Sequence, residues 1–466
     1  MINKNIFINR EDEVKALREI FGSGKAELVL IYGRRRIGKT TLVLYASKGF
    51  DKIYLYVDYA NPSILLKRFS RTLLKSLDLP EGIIVEDFET LFKLFPKAGI
   101  VVLDEFQRLQ EVDPSIVTTL QKVWDLELSR SRVKLVIVGS SVGLMERIGL
   151  SPSAPLFGRV TRVIELKELY YRDIRAFYPG SSEEERVGYY AVLGGVPAYH
   201  QIFDEKLGFI ENIKRNILDK TSPLYSEVER LLREETRDPA TYMSILAAIS
   251  HGKNTFSEIA DYASIEKSSL SKYLQVLRNN LRLIKVIQAL ETTGKRFRRY
   301  IITSNFFRFW FRYIYPYGSL LEEGEVDKVL EIANGFKPHI SEAFEYICRE
   351  HMYLLNKEKM VGFTKIGKWW LKDIEIDWIA IDEKSSTAYF VECKWTNKPI
   401  GREVLNRLIK KSEYFPWRKN RRKDKYILYS KSGFTWSEED GDVIQISLKD
   451  MEKLFDKYMP LIREYP

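Results

Sequence analysis

An apolar run, Leu28-Val-Leu-Ile-Tyr32, leads without a break into Gly33-Arg-Arg-Arg-Ile-Gly-Lys-Thr40, and Thr41-Leu-Val-Leu-Tyr45 follows with helical character. Few folds accept this order: it calls for a buried parallel strand, a tight loop and the first turn of a helix. The GxxxxGK[ST] spacing predicts a loop whose successive amides turn inward onto phosphate oxygens. Side chains at Gly33 or Gly38 would obstruct that curl. Lys39 is placed to reach the β- and γ-phosphates, and Thr40 offers a hydroxyl to Mg²⁺. Ile37 lies between the glycines, and Thr41 opens the helix, whose N-terminus adds partial positive charge. Arg34, Arg35 and Arg36 can anchor phosphate, meet the next domain or form a solvated loop face. ATP and Mg²⁺ are the implied ligands.

Two further apolar runs end in polar residues, where parallel sheets bind their ligands. Gly99-Ile-Val-Val-Leu103 ends in Asp104-Glu105. Asp104 is expected to hold Mg²⁺ through water, and Glu105 to polarise the water that attacks the γ-phosphate. Val133-Lys-Leu-Val-Ile-Val138 ends in Gly139-Ser140-Ser141, so Ser140 or Ser141 is a candidate sensor of that phosphate.

These segments resemble the archaeal ATPase family, of the STAND-type branch of AAA-like P-loop NTPases. The resemblance rests on Phe7-Ile-Asn-Arg-Glu11, GRRRIGKTTL, VVLDEFQ, VGSSVGLM, Pro155-Leu-Phe-Gly-Arg159 and Gly194-Gly-Val-Pro197, within roughly the first 300 residues. It implies that Arg10 lies near the base, that Arg159 is an arginine finger or sensor, and that Pro197 packs on adenine. A guanidinium at Arg159 also suits phosphoryl transfer physically, because it stabilises charge developing at the γ-phosphate. A surface salt bridge is the plainer role for the same residue. A finger acting between subunits would make the chain a homo-oligomer.

From Leu166 to about Leu232 apolar residues recur at helical spacing, which suits a helical lid. Tyr242–Ser250, Thr255–Ala263 and Lys267–Asn280 read as three helices, followed by a hairpin around Thr292–Tyr300. This is the pattern of a winged helix-turn-helix, with Thr255 and Glu258 as a capping box. The third helix begins Lys267-Ser-Ser-Leu-Ser-Lys-Tyr273, whose short polar side chains suit a DNA major groove. An internal clamp on the ATPase is the alternative use of the same domain.

Past Tyr315-Pro-Tyr-Gly318 a new pattern begins, with a helix over about 337–355. Ile374–Ile381 and Ala388–Trp395 read as strands joined by a polar turn. Strand parity puts Glu392 and Lys394 on one face, with Asp377 on the neighbouring strand. Asp377 and Glu392 can then converge on one divalent ion, with Lys394 orienting water. This D…ExK arrangement is similar to the PD-(D/E)xK nuclease fold, and the resemblance implies Glu345 as a further metal carboxylate, with Glu342 as second candidate. An exposed cross-strand ion pair is the bland reading of the same residues. Arg402–Lys425 interleaves Arg407, Lys410, Lys411, Arg418, Lys419, Arg421, Arg422 and Lys423 with Tyr414, Phe415 and Trp417, which suits phosphate pairing and base stacking.

At 466 residues the chain exceeds a single core. The expected fold is α/β: a P-loop NTPase parallel sheet over 1–165, a helical lid over 166–238, a winged helix-turn-helix over 239–318 and a C-terminal restriction-endonuclease-like α/β domain over 330–466. Lys plus Arg outnumber Asp plus Glu by 74 to 64, which favours a polyanionic partner such as DNA. Two cysteines and four histidines exclude a disulfide framework and give no zinc spacing. No run is long enough to span a bilayer, so a cytoplasmic location is expected. The function expected is a DNA-directed ATPase with a metal-dependent nuclease-like domain; the alternative is a nucleotide-controlled switch whose C-terminal domain is a non-catalytic interaction module.

Overall fold

The computed structural model describes residues 6–80, 83–437 and 441–464, which group into two compact units. The first unit holds the segment to Glu168 together with residues 275–282 and the strand near 462. Its strands are β1 (Ile6–Ile8), β2 (Glu27–Tyr32), β3 (Lys52–Tyr56), β4 (Ile100–Asp104), β5 (Lys134–Gly139) and β6 (Arg162–Glu165). All except β1 form one parallel sheet in the order β3-β4-β5-β2-β6. Because side chains alternate across a strand, Leu28, Leu30 and Tyr32 of β2 enter one core while Val29 and Ile31 enter the other. The same alternation sends Leu135 and Ile137 of β5 to one side and Val136 and Val138 to the other. Helices therefore cover both faces, and only the strand ends are left for polar chemistry.

The second unit runs over Leu169–Leu274 and Leu283–Leu461. Short helices joined by turns follow one another from Tyr171 to Glu235, and they group with the segments that follow rather than with the nucleotide sheet. Three helices, Pro239–Ser250, Phe256–Ala263 and Lys267–Gln275, precede an antiparallel hairpin of β7 (Ile284–Gln288) and β8 (Arg298–Ile302). The capping box forms: Thr255 Oγ1 accepts from the Glu258 amide, and a Glu258 carboxylate oxygen accepts from the Thr255 amide at 3.0 Å.

The long helix Lys337–Lys357 comes next, then a mixed sheet. Its strands β9 (Lys365–Leu371), β10 (Ile374–Asp382) and β11 (Thr387–Lys394) form an antiparallel meander. After the helix Arg402–Ser412, β12 (Lys423–Ser430) and β13 (Val443–Ser447) continue the sheet parallel to β11. Arg175 is fully buried and ties this part of the unit to the earlier helices: it bonds Glu183 at 3.0 Å and Asp456 at 2.7 Å. No helix among the described residues is long and apolar enough to cross a membrane.

One element was not foreseen. A short strand, β14 (Ile462–Glu464), returns to the first unit and pairs antiparallel with β1, Phe7 facing Arg463. In the same unit, residues 275–282 lie against the helix Val142–Gly149. A side chain at Gly143 would meet the Asn280 backbone at 2.9 Å, and Arg282 bonds Glu146 at 2.6 Å.

Candidate nucleotide site

The loop between β2 and the helix Lys39–Ala46 takes the shape its glycines allow. Gly33 has φ +153°, and a Cβ there would meet the Leu166 carbonyl oxygen at 2.3 Å. At Gly38 there is open space, and the requirement is conformational: φ is +91° where the helix begins. Ile37 is buried in the core beneath the loop and anchors it. Lys39 is only 6% exposed, and its ammonium donates to the carbonyls of Gly33 at 2.9 Å and Arg34 at 2.8 Å. Arg34 is paired with Glu168 at 2.5 Å, so it braces the loop against the chain leaving β6.

Asp104, at the tip of β4, is buried and accepts three hydrogen bonds. Thr40 Oγ1 and the Tyr54 hydroxyl both donate to its Oδ2 at 2.6 Å, and the Glu105 amide donates to Oδ1 at 2.8 Å. Thr40 and Asp104 thus set two hard oxygen donors side by side, which is the ligand chemistry Mg²⁺ takes. Burial, and then the hydrogen bond to Asp104, push the Tyr54 hydroxyl far above its ordinary pKa, so it stays a proton donor.

Glu105 has φ +57°, a left-handed backbone that is uncommon without glycine and typical of functional turns. Its Oε2 accepts from Gln107 Nε2 at 2.7 Å and Ser140 Oγ at 2.9 Å, and Arg108 lies 3.6 Å away. Ser140 therefore serves Glu105 here, together with Gln107, which donates to it at 3.2 Å. Tyr54, Gln107 and Arg108 were missed from sequence. Gln107 lies inside the VVLDEFQ box, and Tyr54 sits on a strand with alternating burial, so both had a visible signal.

The structure brings Gly33–Thr41, Asp104, Glu105 and Ser140 to one sheet edge and leaves Arg159 away from it. Arg10 donates to the Lys167 carbonyl and pairs with Glu13 at 3.5 Å. Arg159 lies at the opposite edge of the sheet, before β6 begins; Thr161 bonds Leu28 at the start of β2. Six residues of strand, roughly 20 Å, separate the two edges. There Arg159 grips Asp125 in a bidentate pair at 2.7 and 2.6 Å, the salt-bridge role. Pro197 lies in the second unit, at the first turn of the helix Pro197–His200.

In the second unit the β10–β11 register pairs Trp378 with Val391, one step from Asp377 and Glu392, and a register shift against β9 between Ile376 and Ile379 frees Asp377 from regular pairing. Asp377 accepts from the Cys393 amide at 2.7 Å. Burial, followed by the charges of Glu345 and Glu392, holds its carboxyl well above the ordinary range. Glu392 is buried and meets two ammonium groups, Lys394 at 2.6 Å and Lys411 at 3.2 Å; Glu345 is paired with Lys368. Among the described residues no group of three or more His, Cys, Asp or Glu is arranged to hold a metal ion, so the expected Glu345, Asp377 and Glu392 ligand set is not assembled as a chelate. Lysines pair with Glu345 and Glu392, and a backbone amide with Asp377. Glu342, the second candidate, pairs with Arg308 and Arg312.

The basic segment also needs correction. Arg422 is turned inward onto Asp424 and the carbonyls of Ser412, Phe415 and Trp417; Phe415 is fully buried; and Lys411 faces Glu392. Arg407, Lys410, Lys419 and Arg421 remain exposed.

Comparison with known proteins agrees with the nucleotide site. Residues 7–200 match a family described as an ATPase domain predominantly from Archaea, and residues 310–410 match a family described as archaeal and bacterial proteins of unknown function. An uncharacterised protein of Methanocaldococcus jannaschii is 33% identical over 96% of this chain and 100% of its own length. An uncharacterised ATP-binding protein of Pyrococcus abyssi is 25% identical over 42% of this chain and 68% of its own. A Walker-type ATPase of Pyrococcus abyssi shares the fold, with TM-score 0.52 and 20% identity, covering 66% of this chain and 96% of that one. The loop, the acidic strand tip and these relatives together show that the chain belongs to the archaeal ATPase family.

Proposed function

We propose that the chain binds and hydrolyses ATP at the edge formed by Gly33–Thr41, Asp104 and Glu105, and that this turnover is directed onto DNA through the second unit. The observation that carries the ATPase reading is the convergence of Lys39, Thr40, Asp104 and Glu105 at one strand-end cluster. Inward amides and the helix N-terminus cradle the phosphates, while Lys39 exchanges the Gly33 and Arg34 carbonyls for phosphate oxygens. Thr40 and Asp104 would hold Mg²⁺, which neutralises phosphate charge when bound. Glu105 orients the attacking water and takes its proton. Ser140, Gln107 and Arg108 all hold one carboxylate oxygen, Oε2, and so set the orientation of the other.

Several exposed groups support DNA as the partner. Lys267, Ser268, Ser271 and Lys272 line one solvent face of the third helix, and Lys295, Arg296 and Arg298 stand out from the hairpin that follows. Asp377 and Glu392 on neighbouring strands, with Lys394 beside Glu392, support the nuclease-like reading of the C-terminal sheet. Duplex DNA is expected to raise ATP turnover several-fold, with the stimulation weakening as salt rises. A turnover rate unchanged by any DNA would sink the DNA-directed reading and leave the ATPase standing.

The position of Arg159 at the far edge supports a role on a neighbouring copy's nucleotide rather than its own. Mixing Glu105→Gln with Arg159→Ala is then expected to recover hydrolysis that neither variant shows alone, because one supplies the arginine and the other the carboxylate. A mixture no faster than the sum of its parts would rule out a finger in trans.

One observation favours a second reading, a nucleotide-controlled switch with a non-catalytic C-terminal module: the carboxylates there are held by Lys368, Lys394 and Lys411. DNA cleavage in Mg²⁺ or Mn²⁺ that disappears in Asp377→Ala and Lys394→Ala would exclude the switch reading. Cleavage absent from the unaltered protein would favour it.

A further inference from the structure

Four elements of the second unit converge their cations on two rings. Lys285 of β7, Arg308 of the helix Asn305–Tyr313 and Lys368 of β9 lie 5.7, 5.5 and 5.4 Å from the centre of Tyr346. Lys368 and Arg349 lie 5.3 and 5.2 Å from the centre of Trp378, and Arg349 and Tyr346 both belong to the helix Lys337–Lys357. Arg308 is buried, Arg349 and Lys368 are partly covered, and Lys285 reaches solvent. The arrangement is a cluster of cations that runs from the buried Arg308 to the exposed Lys285.

The carboxylates at hand do not balance it. Glu342 is shared between Arg308 and Arg312, and Glu345 is taken by Lys368. Lys285 and Arg349 add two further positive charges. The Nε groups of Arg308 and Arg349 are buried and donate to nothing in the protein. Crowding by the surrounding protein, then the like charges of Arg349, Arg308 and Lys368, pull the Lys285 ammonium down to about 8. A cation–π staple between hairpin and sheet would need one cation per ring face and would leave no guanidinium N–H unsatisfied. Surplus charge with one idle N–H on each guanidinium is instead what an oxyanion completes.

We propose that Lys285, Arg308, Arg349 and Lys368 form a phosphate-binding site that seats the backbone of a nucleic-acid strand. The choice of a strand over a free phosphate rests on the DNA reading above; the phosphate site itself does not. Lys295 and Arg296 stand exposed in the turn of the hairpin that carries Lys285 and offer positive charge to flanking phosphates. On the other side Glu345, paired with Lys368, is close enough for its charge to act on Asp377, so a seated phosphodiester lies next to the Asp377 and Glu392 pair.

The test is binding of labelled duplex and single-stranded DNA to the full chain, with EDTA and without ATP, so that neither cleavage nor turnover enters the measurement. Lys285→Glu and Arg349→Gln are each expected to weaken binding by about tenfold and to lower the salt dependence by about one counterion. Lys449→Glu, which makes the same charge change as Lys285→Glu at an exposed position outside the cluster, is expected to bind as the unaltered protein does. Melting temperatures of all three variants check that they fold. Variants of the cluster that bind DNA no more weakly than Lys449→Glu would overturn the proposal. If inorganic phosphate raises the melting temperature through Lys285 while DNA affinity is untouched by either variant, the assignment to nucleic acid is overturned in favour of a small phosphate.

Discussion

Glu105→Gln is expected to bind ATP as tightly as the unaltered chain while hydrolysing it about 10²–10⁴-fold more slowly, the range a positioned general base contributes. The change removes one negative charge and the proton acceptor but keeps the shape. The amide retains a carbonyl oxygen that can accept from Ser140 and Gln107, so the strand tip and its left-handed turn should survive. Nothing in the phosphate cradle depends on the Glu105 carboxylate, since Lys39 and Thr40 are engaged with other partners. Calorimetric titration with ATP and a single-turnover hydrolysis assay on the same sample separate the two effects. Loss of binding would show that Glu105 supports the fold of the site, and unimpaired hydrolysis would show that another group handles the water.

Lys39→Ala should have the opposite signature, with nucleotide affinity falling first. A charge-assisted hydrogen bond is worth about 1.5–3 kcal/mol, and the lysine faces a multiply charged phosphate chain, so a loss of at least about tenfold to a hundredfold is expected. A second loss comes from the loop itself. In the structure the ammonium ties Gly33 and Arg34 together from inside, and without it two carbonyls lose their donor and the curl loosens. Lys39→Arg is an informative companion, because the larger head group must fit where the lysine is 94% covered by its surroundings (6% exposed). Affinity unchanged in Lys39→Ala would mean that the loop does not hold the phosphates.

Much of the nucleotide unit could be read from the chain because its signals are local. Leu28–Tyr32 is apolar on both faces, as a doubly covered strand must be, and the glycine spacing fixes the loop that follows. Asp104 and Glu105 were found by the rule that polar residues end buried strands. What escaped were groups that act through partners distant in sequence. Tyr54 matters only because β3 lies beside β4, and the pairing order of a parallel sheet is not written in any one strand. The fate of Arg159 depended on which end of β6 it precedes, which a motif does not state. In the second unit, strand parity correctly set Glu392 beside Lys394, but the lysines that reach Glu345 and Glu392 from β9 and the helix Arg402–Ser412 have no periodic signature linking them to those acids. Amphipathic segments such as 402–425 read as uniformly basic, whereas folding turned Arg422 inward to satisfy three carbonyls.

The pairing of β1 with β14 makes the nucleotide-binding unit discontinuous: its pieces come from three separate stretches of chain. A fragment ending at Glu168 would keep Gly33–Thr41, Asp104, Glu105 and Ser140, yet it would uncover the face around Gly143 and strip β1 of its partner strand. Exposed apolar surface and an open strand edge both invite self-association. Poor solubility of such a fragment would therefore report missing neighbours rather than a defective catalytic centre, and supplying residues 275–282 and 462–464 by a short linker is the rational route to an isolated, well-behaved ATPase module.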